Sequence, residues 1–216
     1  MKYELIVFDW DGTVMDSTAV IAGSIQSACR DLELPVPSDE AARYVIGMGL
    51  AQALRQAVPT VPETLYPALA ERYRHHFLSQ DEAIPLFAGA REMIADLHGN
   101  GYLLAVATGK SSAGLARAMN TSGMTNYFHA YRTADQTFSK PHPAMLQEIV
   151  NELDTTTERA LMIGDTTHDL LMAINAGVDV VAMTHGAHPV EQLQALKPRA
   201  LLADFAELRI WLASNG

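Results

Sequence analysis

The chain has 216 residues, 49% hydrophobic and 19% charged, with a formal net charge of -10. That length suits one large and one small domain, or one domain with an insertion, and can bury a sizeable core. The acidic balance excludes a broad nucleic-acid surface, which needs clustered Lys and Arg, and the single cysteine, Cys29, excludes an intrachain disulfide.

The first predicted element is the apolar run Leu5-Ile6-Val7-Phe8, a strand that ends in Asp9-Trp10-Asp11-Gly12-Thr13. Residues two apart on a strand point to the same face, so two carboxylates emerge together. Unpaired buried charge is costly, and a divalent metal would offset it. The plain alternative is that Asp9 and Asp11 form a turn before Gly12, a common use of aspartate. The pentapeptide alone leaves the two readings even. From Asp16 to about Phe87 the pattern becomes helical, with helices expected over 17–32, 38–45, 50–57 and 63–79. Breaks at Pro35-Val36-Pro37, Gly47-Met48-Gly49, Pro59 to Pro62 and Pro85 fit short connections. After Gly89 helix and strand alternate: helices over 90–97, 112–122, 143–153 and 167–176, strands over 102–107, 160–163 and 178–183. This alternation marks a parallel sheet with crossover helices.

Polar clusters follow several of these runs. Thr108-Gly109-Lys110 follows Leu104-Ala105-Val106-Ala107, Asp165 follows Leu161-Met162-Ile163-Gly164, and Lys140 ends a less clearly apolar segment. Ligands of open parallel sheets sit at the carboxyl ends of strands. Taken in order, Asp-x-Asp-Gly-Thr, strand-Thr-Gly, an isolated Lys-Pro and Gly-Asp-x-x-x-Asp resemble the haloacid dehalogenase superfamily over nearly the whole chain. The resemblance implies a doubly wound, mostly parallel Rossmann-like α/β core, residues 1–16 and 88–216, with an inserted all-helical cap domain, residues 17–87. Asp16-Ser17 and Pro85 to Gly89 would then be hinges.

The resemblance also implies chemistry. Asp9 would be the nucleophile of an aspartyl-phosphate and Asp11 the general acid and base. Mg²⁺ would bind the Asp9 side chain, the Asp11 backbone carbonyl and the Asp165 side chain. Asp169 would touch a metal-bound water or orient Lys140, although Thr166-Thr167-His168-Asp169 also reads as a helix cap. Thr108 and Gly109 would bind the transferring phosphate at a helix N-terminus, with Ser111 or Ser112 as a simple cap in the plain reading. Lys140 would neutralise the phosphoryl group and pair with Asp9, and Lys110, familiar in phosphoglycolate phosphatase-like relatives, would join the phosphate-binding set. The Gly-x-Gly-Leu at 47–50 resembles the cap loop of that subgroup.

The expected activity is therefore Mg²⁺-dependent hydrolysis of a small-molecule phosphate monoester, phosphoglycolate phosphatase-like in layout. Two alternatives stand beside it: a β-phosphoglucomutase-like phosphomutase, and a non-catalytic phosphometabolite-binding protein. Asp11 weighs against dehalogenation, and a lysine-free stretch from 17 to 87 weighs against imine-forming phosphonate hydrolysis. Arg43, Arg55, Arg72 and Arg74 are available for a second anionic group, or are simply solvated. His75 and His76 diverge on one helix, and His142, His168, His185 and His188 show no zinc spacing. Neither nucleic acid nor a membrane is an expected partner: no run approaches the roughly 18 apolar residues of a span. A cytoplasmic monomer is the expectation, because no signal segment precedes the first strand and the lone cysteine suits a reducing compartment.

Overall fold

The computed structural model describes residues 2–216. Strand β1 (Leu5–Phe8) is buried on both faces. Leu5 and Val7 join one apolar cluster while Ile6 and Phe8 join the other, the period-2 division of a central strand covered on both sides. Four helices follow: α1 (Thr18–Asp31), α2 (Asp39–Tyr44), α3 (Leu50–Ala57) and α4 (Tyr66–Leu78). The predicted helix over 63–79 begins instead as a 3₁₀ turn, Glu63–Leu65, and Pro67 falls in the first turn of α4, where its missing N–H costs nothing. Ile25, Leu54, Leu69 and Phe77 from these helices belong to the same apolar cluster as Ile6 and Phe8.

The chain enters and leaves this helical stretch at one place. Asp16 N donates to Pro85 O at 3.0 Å and Phe87 N to Val14 O at 3.0 Å, and Met15 and Leu86 form an antiparallel bridge.

The remainder alternates: α5 (Ala90–Gly99), β2 (Leu103–Thr108), α6 (Ser112–Thr121), β3 (Ala130–Thr133), α7 (Ala144–Glu152), β4 (Ala160–Gly164), α8 (Thr167–Ala176), β5 (Asp179–Met183), α9 (Val190–Ala195), β6 (Leu201–Leu202) and α10 (Phe205–Asn215). The six strands form one sheet in the order β3-β2-β1-β4-β5-β6, and every pair is parallel. This is the doubly wound α/β architecture expected from the alternation. Four elements were not anticipated: β3, β6, α9 and α10. Lys140 also departs from expectation, because no strand leads into it. It lies in the connection between β3 and α7, so the fold brings it to the sheet edge through a loop. Among the described residues no helix is long and apolar enough to cross a membrane.

Candidate active site

The strand order reverses around β1, whose neighbours are β2 and β4, and open α/β sheets bind ligands at such a reversal. Asp9 leaves the end of β1, its N–H donating to Ile163 O at 2.9 Å. Asp165 leaves the end of β4, and Asp169 sits in the first turn of α8. Carboxylate oxygens of Asp9, Asp165 and Asp169 lie within 4.8 Å of one another, and all three residues are buried. Between them stands Lys140, fully buried, with Nζ 2.6 Å from Asp9 Oδ1 and 2.6 Å from Asp169 Oδ1.

Asp169 bonds in two directions at once, to the α8 cap and to Lys140. Its Oδ2 accepts from Thr166 N at 3.0 Å and Thr166 Oγ1 at 2.7 Å, while the Asp169 N–H donates back to the threonine hydroxyl in a capping box. Its Oδ1 is left for Lys140. Asp165 is held from two other sides: Thr13 Oγ1 donates to Oδ1 at 2.6 Å and Ala187 N to Oδ2 at 2.7 Å. Gly12 permits that approach, since a Cβ there would lie 2.3 Å from Asp165 Oδ2, and its φ of +87° suits glycine.

Three buried carboxylates against one ammonium leave negative charge uncompensated. Burial would deprotonate Lys140, but Asp169 and Asp9 overcome it and hold the amine charged. Asp169 sits below the usual carboxylate range, because Lys140 and the Thr166 hydrogen bonds outweigh its burial. The strain falls on the other two. Burial pushes Asp9 well up, with Asp169 and Asp165 adding to it against Lys140, and burial together with Asp169 pushes Asp165 up to about 7. Asp9 Oδ2 is buried with no hydrogen-bond partner. An all-oxygen donor set with surplus negative charge and an orphaned carboxylate oxygen fits a hard divalent cation such as Mg²⁺.

Asp11 faces the other way. Its Oδ1 accepts from Ser17 Oγ at 2.7 Å and lies 3.0 Å from Lys110 Nζ, which rests over the ring of Phe77 at 4.7 Å from its centroid. Thr108 is buried at the end of β2, its hydroxyl accepting from Lys110 N at 3.3 Å. Gly109 lies under the loop between α2 and α3. A Cβ at Gly109 would be 2.4 Å from Met48 O and 2.5 Å from Gly47 O, so glycine lets that loop close, and Gly49 N donates to Ser139 Oγ at 2.9 Å beside it. The Gly47-Met48-Gly49 break thus reaches the sheet edge. Ser111 does cap α6, accepting from Gly114 N at 3.2 Å, while Ser112 Oγ joins Thr133 and Asp135. A cavity of about 630 Å³ opens beyond Asp11 and Lys110, walled by α1, α3, α4 and the Gly47 loop.

Sequence reasoning missed a polar clasp across this edge. His168 Nε2 and His188 Nε2 both lie within hydrogen-bond distance of Tyr44 O, at 2.8 and 2.9 Å. His188 Nδ1 accepts from Thr167 N at 3.0 Å, so Nε2 carries the proton and donates. The Tyr44 ring stacks on His188, centroids 5.0 Å apart. Burial pushes His188 down to about 4. Only the clustering of histidines near the motif ends hinted at this, since their partner is a backbone carbonyl. His76 pairs with Asp31 at the surface.

Residues 6–183 match the family described as haloacid dehalogenase-like hydrolase. The chain is 36% identical to the probable phosphatase IndB of Dickeya dadantii over 210 residues, covering 94% of this chain and 91% of that protein. It is 30% identical over 216 residues to the phosphoglycolate phosphatase of Vibrio cholerae, 95% of each chain. The crystal structure of a predicted phosphoglycolate phosphatase from Haemophilus somnus superimposes with a TM-score of 0.84 at 26% identity, covering 96% of this chain and 97% of that one.

Proposed function

Because the chain belongs to the haloacid dehalogenase-like hydrolases, we propose that it is a phosphatase that cleaves a small-molecule phosphate monoester through an aspartyl-phosphate on Asp9. The observation that carries this reading is the state of the Asp9 carboxylate: Oδ1 is pinned by Lys140, and Oδ2 is buried with no partner. A group so expensive to bury suits a nucleophile aimed by one contact and otherwise kept free for substrate and metal. In this mechanism the Asp9 carboxylate attacks phosphorus as the ester P–O bond breaks, and Asp11 gives its proton to the departing alcohol oxygen. Asp11 then takes a proton from the water that attacks the phosphoryl group, which releases phosphate and restores Asp9. Lys110, 3.0 Å from Asp11 Oδ1, keeps that carboxylate aimed. The Thr108 hydroxyl and the Gly109 amide would hold the transferring phosphate, and the Lys140 ammonium would offset its charge.

Mg²⁺, held by the Asp9 and Asp165 side chains and the Asp11 carbonyl, would supply the positive charge that lets a carboxylate approach a phosphate. Asp169 serves that site by fixing Lys140. We read residues 1–16 and 88–216 as the catalytic core and residues 17–87 as a cap over it. The test is phosphate release from 4-nitrophenyl phosphate with Mg²⁺ for the wild type and Asp9→Asn. The variant is expected to lose on the order of 10⁵-fold in rate while keeping its circular dichroism; undiminished release would end the proposal.

A further inference from the structure

The cavity beyond Asp11 and Lys110 speaks to the substrate, given the phosphatase reading above. At about 630 Å³ it falls within the roughly 300–1,000 Å³ range of pockets that enclose drug-sized ligands. Its polar end is the place where Asp11, Gly109 and Lys110 meet, so a phosphate held there directs the rest of its ester into the cavity. Most of the wall beyond is apolar: Ile21, Ile25, Ile46, Leu50, Tyr73 and Phe77 line it, with Gln52, Ser111 and Ser139 as polar members. Tyr73 and Phe77 form a stacked aromatic pair, centroids 5.9 Å apart at 18°.

Most of the cations that could receive a second anionic group are absent from the cavity or engaged, and the exception, Arg74, is an exposed side chain. Of the four arginines considered from sequence, only Arg74 lines the cavity. Arg43 is bonded to Asp39 and Thr18, and Arg55 to Glu63. Arg117 also lines the wall but pairs with Asp81, and the lining carboxylate Asp135 accepts from Ser112 and Thr133. A small acid such as phosphoglycolate would leave most of this apolar wall facing water.

We infer that the substrate is the phosphate monoester of an alcohol with an apolar, ring-bearing body, and that Ile21, Ile25, Leu50, Tyr73 and Phe77 set that preference. Burial of the ring supplies the selectivity, because even one methylene in a hydrophobic pocket is worth about tenfold.

The experiment compares kcat/KM for 2-phenylethyl phosphate, ethyl phosphate and 2-phosphoglycolate with Mg²⁺, all of which expel an alkoxide oxygen, so that mainly the body of the alcohol differs. Phenylethyl phosphate is expected to exceed both others by at least about tenfold. In Leu50→Gln, which adds a polar group to the wall away from the reacting atoms, phenylethyl phosphate should lose several-fold in kcat/KM through KM and ethyl phosphate less, so that the preference shrinks. Equal values for phenylethyl and ethyl phosphate, or a preference for phosphoglycolate, would overturn the inference and leave the phosphatase reading intact. Release from none of the three would overturn the phosphatase reading itself, and the inference with it.

Discussion

Two regions meet at Asp11, and they are built on opposite principles. On the sheet side, Asp9, Asp165, Asp169 and Lys140 are fully buried; Lys140 fixes Asp9 and Asp169, while backbone N–H groups and threonine hydroxyls fix Asp165 and Asp169. On the helix side the cavity wall is aliphatic and aromatic, with its charges paired off or pushed to the rim. Directional contacts of 2.6–3.0 Å hold the first region, and such contacts suit groups whose geometry must be fixed. The second relies on non-directional burial, which tolerates changes of side chain more readily. Chemistry and selectivity can therefore change almost independently in this chain, with Asp11 and Lys110 as the shared boundary.

The sheet side depends most heavily on Lys140. Lys140→Met would leave Asp9 and Asp169 facing each other without the ammonium, a loss of about 3–5 kcal/mol by the cost of an uncompensated buried charge. Turnover should fall on the order of 10³-fold. Urea denaturation and kcat measured on the same preparation test both, and a stable, active variant would show that the cluster does not depend on its lysine.

At the boundary, Gly109→Ala should cost less. Its Cβ would press on the Met48 and Gly47 carbonyls, and displacing that loop should cost about 1–3 kcal/mol and raise KM more than it lowers kcat. Unchanged kinetics would mean that the loop yields freely.

The smallest effect concerns the clasp at Tyr44. His188 is held near 4 in the fold, against about 6.5 when unfolded. Between these values the unfolded chain takes a proton that the folded chain refuses, so the contribution of His188 falls as pH drops from 6.5 towards 4, by up to about 1.4 kcal/mol per pH unit. Asp165, raised to about 7, works in the opposite sense, because its folded-state penalty is relieved as pH falls. The clean measurement is therefore a difference: unfolding free energies at pH 7 and pH 5 for wild type and His188→Gln, with the variant expected to lose less on acidification. Equal losses would remove His188 from the account.

Much of the site could be read along the chain because the motifs at Asp9, Thr108 and Asp165 each follow a buried strand. Leu5-Ile6-Val7-Phe8 and Leu161-Met162-Ile163-Gly164 are continuous apolar runs covered on both faces, and they announce Asp9 and Asp165 directly. β3 was hidden because only its first and last residues are buried: Tyr131 is exposed and Arg132 reaches out to Glu148 and Glu152. β6 has two residues, too short for any period. Lys140 stands 131 residues from Asp9, and a loop carries it there, so only its place in the motif order identified it. The clasp of His168 and His188 on Tyr44 O left only a cluster of histidines as its trace, since a backbone carbonyl has no residue type. The same holds for the cavity: its residues look like ordinary helix-core positions until α1, α3 and α4 are assembled around an opening.

The crossing at residues 14–16 and 85–87 has a consequence beyond the sheet. Outgoing and returning segments are stitched by main-chain hydrogen bonds, so the helical stretch departs and rejoins with its two ends side by side. Such an arrangement behaves as a cassette: another helical unit with neighbouring termini could be spliced in with little disturbance to the sheet. A single scaffold could in this way be refitted for different cargo by exchanging one contiguous stretch of sequence.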